Sequence, residues 1–184
     1  MKKLIFSILI LFSLYSCKTE SEIKYGDFTL KFPMTVSEAK ENLGLIYEDY
    51  AGFYKSGGNI SEIQIQLKNQ PLFLGSDNNN EEDYLDSYVA GITFNYSLDE
   101  MSTDFLKNNI EGIYNAKFES ISTLEKADYI ENVDTMKFYK MNINESIILI
   151  IKEKSYKFIE REFTSMTIYY NLTEKELIEF VTHI

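Results

Sequence analysis

Asp77, Asn79, Glu81 and Asp83 carry oxygen donors at alternate positions, which is how a calcium-binding loop begins. Such a loop needs glycine at its sixth position for the sharp turn and a bidentate glutamate at its twelfth. This chain has Glu82 and Tyr88 there. The run therefore reads as a solvated acidic loop, and those four residues are the ligands on offer if calcium binds. Other chemistry is thin. The single histidine, His183, gives no pair for zinc and no start for a Ser–His or Cys–His triad. Paired carboxylates could serve a glycosidase, but among 29 acidic residues a pair carries no information, and no Trp is present to stack on a sugar. The expectation is a protein without enzymatic activity and without a cofactor.

Cys17 is the only cysteine, so it cannot form an internal disulfide. In front of it stand Lys2, Lys3 and an apolar run from Leu4 to Leu14. That run is shorter than the roughly 20 apolar residues of a membrane-spanning helix and has the layout of a secretory signal peptide. Its ending, Leu14-Tyr15-Ser16-Cys17, resembles the lipobox of bacterial lipoproteins; the resemblance covers residues 1–17 alone. It implies a signal peptide over residues 1–16, cut before Cys17, and lipidation of Cys17 with acyl chains such as palmitate. Each buried methylene adds about 0.8 kcal/mol, so two or three such chains hold a protein at a membrane essentially permanently. Lys18 after the cysteine, rather than an aspartate, points to the outer membrane under the enterobacterial sorting pattern. The expected organisation is residues 1–16 as signal, 17–26 as lipidated cysteine and tether, and 27–184 as a single domain.

The charge narrows the partners. A formal net charge of −11 argues against nucleic acid, whose phosphates need a basic footprint. It leaves room for a protein partner or a cation, and keeps an anchored protein soluble. With 14 Tyr, 13 Phe and only 2 Pro, the chain has the composition of an ordered, aromatic-cored fold.

The elements that must position any site follow from periodicity. Phe28, Leu30 and Phe32 alternate with Thr29 and Lys31, predicting a strand. Thr35 and Glu38 form a capping box before a helix from Val36 to Leu43, which Gly44 can close. Strands are expected at 50–55 and 60–68 around Ser56-Gly57-Gly58-Asn59, followed by a long loop over 69–86. A strand over 88–96 leads to a second box, Ser97 and Glu100, and to a helix from Leu98 to about Tyr114. Its core stripe is Leu98, Met101, Phe105, Leu106, Ile110 and Ile113. Strands over 133–141, 146–152 and 163–170 then precede a third box, Thr173 and Glu176, and a last helix.

Residues 93–100 and 167–174 share Thr, Tyr, Leu and Glu at matching places, so the order helix, hairpin, strand occurs twice. The fold class expected is α+β: a mostly antiparallel sheet with helices packed on one side, built from two helix-plus-strands repeats. The element order is similar to that of beta-lactamase-inhibitor-like domains, and the strand into Leu172-Thr173-Glu174-Lys175-Glu176-Leu177 is similar to the end of the PsbP/Mog1-like fold. Neither likeness implies a function. Two functional expectations follow. One is a lipid-anchored envelope protein that binds another protein, of inhibitor, immunity or assembly type. The alternative is an envelope module that binds a small ligand or calcium through the loop 69–86.

Overall fold

A computed structural model describes residues 21–48, 52–56, 60–68, 81–96, 101–121, 133–156 and 159–182. Alternation builds the first two elements. β1 (Ser21–Tyr25) pairs antiparallel with β2 (Phe28–Phe32), burying Ile23, Leu30 and Phe32 while the residues between them face water. Gly26, at a φ of 56°, makes the left-handed turn that other residues resist. Ser21 to Gly26, the described part of the tether expected over 17–26, are thus part of the folded domain, because Ile23 supplies an apolar contact that a polar tether would lack.

α1 (Val36–Leu43) opens as the sequence predicts. Thr35 Oγ1 accepts from Glu38 N at 3.3 Å, and the Glu38 carboxylate accepts from Thr35 N at 2.7 Å. Gly44, at a φ of 65°, closes the helix. The chain then runs β3 (Ile46–Glu48), β4 (Gly52–Ser56), β5 (Ile60–Leu67) and β6 (Val89–Tyr96). After α2 (Thr103–Tyr114) come β7 (Glu119–Ser120), β8 (Val133–Asn142), β9 (Ile147–Tyr156) and β10 (Ile159–Tyr170), and α3 (Glu174–Thr182) follows. These eight strands form one sheet in the order β3-β4-β5-β6-β10-β9-β8-β7, with every pair antiparallel. The class is α+β with a mostly antiparallel sheet.

The sheet is two four-stranded meanders, each preceded by a helix, joined where β6 meets β10. The register places the join. Thr93 lies opposite Thr167, Ile92 opposite Ile168 and Phe94 opposite Met166, so a local two-fold passes between the two threonines. Their hydroxyls hydrogen-bond at 2.9 Å, and they are the same threonines that head the matched sequence segments.

Successive residues of a strand point to opposite faces, which sorts the packing. On the first face, Ile63, Ile65, Ile92, Phe94, Leu149, Ile151, Met166 and Ile168 join the β1–β2 hairpin, α1 and α2 in one core. On the second, Leu177, Phe180 and Val181 of α3 cover Met136, Phe138, Ile150 and Tyr169. Helices on one side of the sheet therefore describes α1 and α2; α3 takes the other side. A methyl group at Gly91 would sit 3.0 Å from the Tyr169 ring, so glycine lets that ring lie flat across β6.

α2 starts later than the sequence suggests. Its N-cap is Ser102, whose Oγ accepts from Phe105 N at 3.3 Å, while Ser97 and Glu100 lie outside the described residues. Thr103 explains the shift, since its hydroxyl hydrogen-bonds Thr164 of β10 at 2.8 Å and pins the first turn to the sheet. Of the expected stripe, Leu106 and Ile110 are core, but Phe105 is 55% exposed and Ile113 57%. Phe105 lies five residues before Ile110, about 140° away around a helix of 3.6 residues per turn.

Candidate functional site

The turn Tyr25–Phe28, the inward side of α2 and the ends of β5 and β6 line a cavity of about 610 Å³ on the first face. Tyr25 and Phe28 supply aromatic walls, each packed on Phe94 with ring centroids 5.1 and 6.0 Å apart. Ile60, Ile63, Met101, Leu106, Ile110 and Ile113 supply aliphatic ones, and Asp27 and Asn109 are the polar residues beside them. Tyr96 stands at the same site, 2% exposed, and its hydroxyl has no hydrogen-bond partner among the described residues. Burial pushes the Tyr25 phenol well above its ordinary range, so it stays protonated.

The walls are held from outside the cavity. Lys24 N donates to Tyr114 Oη at 3.1 Å and that hydroxyl donates back to Lys24 O at 2.8 Å, tying the end of α2 to β1. Burial raises the Tyr114 phenol, and the bond to Lys24 offsets part of that rise. Next along the chain, the Glu111 carboxylate accepts from Phe118 N at 2.9 Å and pairs with Lys117. These contacts, the Lys117 hydrogen bond foremost, hold Glu111 below the ordinary carboxylate range. Farther along the sheet, burial is the largest single influence on Glu153 and raises it, but Lys137, whose ammonium donates to it at 2.7 Å, Thr103 and Lys107 together hold it below the ordinary carboxylate range.

Such a site can bind a guest and exclude water. Its volume falls within the roughly 300–1,000 Å³ of small-molecule pockets, which are also mostly apolar with a few placed polar groups. A guest group reaching Tyr96 would give that hydroxyl the partner it lacks.

The residues singled out from sequence lie elsewhere. Cys17, Asp77, Asn79 and His183 are outside the described residues. Glu81 and Asp83 begin and end a single 3-10 turn (Glu81–Asp83), and the Glu81 carboxylate pairs with Lys40 of α1. Among the described residues no three His, Cys, Asp or Glu stand together to hold a metal, and no helix is long and apolar enough to cross a membrane. The cavity was missed because its lining comes from four separated stretches. Only the surplus of apolar residues on α2, more than one buried stripe needs, hinted at it. No family model, curated protein or solved structure matches the chain.

Proposed function

We propose that this is a lipid-anchored envelope protein, held through Cys17 and without enzymatic activity, whose domain binds a small, largely apolar ligand. The observation that carries the binding role is the cavity of about 610 Å³ with the unpartnered Tyr96 hydroxyl beside it. The anchor rests on the sequence Leu14-Tyr15-Ser16-Cys17. Titration with an uncharged naphthylamine dye tests the pocket. One saturable site per chain is expected, abolished by Ile113→Trp at the cavity and kept by Ile178→Trp on α3. Unsaturable binding, or binding indifferent to Ile113→Trp, would remove the reading. Intact mass and membrane partitioning, beside a Cys17→Ala variant, test the anchor separately.

A second reading, a protein partner, is favoured by one observation. Phe105 and Ile113 stand more than half exposed on the same helix, which suits an apolar anchor into a neighbouring protein. The acidic chain around them favours a basic rim on that partner. A complex recovered from solubilised envelope with the wild type and lost with Phe105→Asp is expected; a complex unaffected by that change would remove this reading.

A further inference from the structure

The second face of the sheet carries a row of polar side chains that the ligand pocket does not use. Cross-strand pairing sets Glu62 of β5 beside Asn95 of β6, Asn95 beside Ser165 of β10, and Ser165 beside Lys152 of β9. Beyond Lys152 comes Phe138 of β8, which is 2% exposed. Lys152 thus sits mid-sheet among Phe138, Ile150, Ser165 and Thr167, all buried, while its own side chain keeps partial access to solvent. Lys154, two residues on and therefore on the same face, is its hydrogen-bond partner.

A lysine in such a place has little to stabilise its charge. Lys140 of β8, opposite Ile150, is a further cation on this face. Glu62 is three strands away, about 14 Å at the ~4.8 Å strand spacing, and its carboxylate already accepts from Asn95 at 3.1 Å and Gln64 at 2.9 Å. α3 brings Glu176, held by Thr173 and Lys68, and Glu179, paired with Lys175. No acid among the described residues pairs with Lys152.

We propose that Lys152 is a nucleophilic amine site for small carbonyl compounds, aldehydes above all, with Lys154 as the acid beside it. The amine lone pair attacks the carbonyl carbon as the C=O π bond breaks, the oxygen takes a proton from the Lys154 ammonium, and the nitrogen returns one to the Lys154 amine, leaving a neutral carbinolamine. Lys154 then protonates the hydroxyl, which leaves as water as the nitrogen lone pair forms the C=N bond; the remaining N–H proton returns to Lys154, and an imine joins Lys152 to the former carbonyl carbon. Ser165, opposite Lys152, is placed to donate to the same oxygen. Burial first, and the Lys154 charge and hydrogen bond second, push the Lys152 ammonium down to about 7, so a large neutral fraction exists near neutrality. Burial also lowers Lys154, and its hydrogen bond to Lys152 offsets part of that fall.

Competitive labelling of the full chain tests the site. Limiting butyraldehyde with cyanoborohydride at pH 7 traps the imine as a secondary amine, and peptide mapping reads each lysine. Lys152 should label at least tenfold faster than Lys175, whose side chain is 88% exposed. That preference should vanish at pH 10.5, where ordinary lysines are also half neutral. Lys154→Met should slow Lys152 at pH 7 and leave its rate at pH 10.5 unchanged. Labelling of Lys152 no faster than Lys175 at pH 7, labelling only after unfolding, or a preference independent of pH would each overturn the proposal. The wild-type pH profile decides it even where the variant does not fold.

Discussion

Tyr96 and Tyr170 end equivalent central strands, one in each half of the molecule, and their surroundings differ. Tyr170 is stacked on Phe32, with ring centroids 5.1 Å apart and planes 16° from parallel, and Phe32 itself is completely buried. Tyr96 faces the cavity instead, and its hydroxyl is buried without a partner among the described residues. A single β1–β2 hairpin caps both places. One end delivers Phe32 into the site beside Tyr170; the other delivers the Gly26 turn, whose neighbours Tyr25 and Phe28 lean on Phe94 and leave the space beside Tyr96 open. A pocket here therefore arises from covering a two-fold surface with an element that has no two-fold of its own.

The sharpest way to break this difference is Phe32→Ala. Removing a fully buried phenylalanine should cost about 3–5 kcal/mol in denaturant unfolding. It should also open a second apolar space beside Tyr170, raising the dye stoichiometry from one to two. The symmetry itself is tested at its axis. Thr93→Val removes the 2.9 Å partner of the buried Thr167 hydroxyl and should cost about 1–3 kcal/mol, whereas the double change to valine should recover most of that loss. Tyr96→Phe should raise stability by up to about 1 kcal/mol by removing an unpaired buried hydroxyl, at the expense of ligand affinity. Tyr170→Phe should leave binding unchanged.

The smallest effect concerns the caps. Hydrogen bonds from Thr173 N and Thr173 Oγ1, each 2.8 Å, and then Lys68 hold the Glu176 carboxyl down at about 2, against an ordinary 4.5. A carboxyl depressed in the folded state stabilises fully above its unfolded value. That contribution is lost as pH falls from about 4.5 towards 2. Glu176→Gln should therefore flatten the acid limb of the stability curve in that window, as followed by thermal unfolding at successive pH values.

What could be read from sequence was what local chemistry decides. The boxes at Thr35/Glu38 and Thr173/Glu176 form as their spacing requires, because each satisfies backbone donors within one turn. The Thr93 and Thr167 match marks the axis of the sheet. Ser102 was missed because its rank over Ser97 depends on Thr103 meeting Thr164, a contact between residues far apart in the chain. Ile113 was assigned to the core because periodicity counts apolar residues without knowing how much surface the facing hairpin covers. Lys152 drew no notice for the same reason. Its burial comes from Phe138 and Ser165 on neighbouring strands, and nothing in its own segment announces it.

The outermost strands of the sheet have a consequence for crowded conditions. Among the described residues β3 spans three residues and β7 two, and β7 pairs with the ten-residue β8 only at Tyr139 and Lys140. A neighbouring chain seeking to lengthen the sheet finds only a three-residue strand to copy at β3, while the longest strand, of twelve residues, lies between β6 and β9. The longest strand is thereby kept at the centre of the sheet, paired along both of its edges. Lengthening β3 would be the change that offers concentrated protein a longer edge for strand-to-strand polymers.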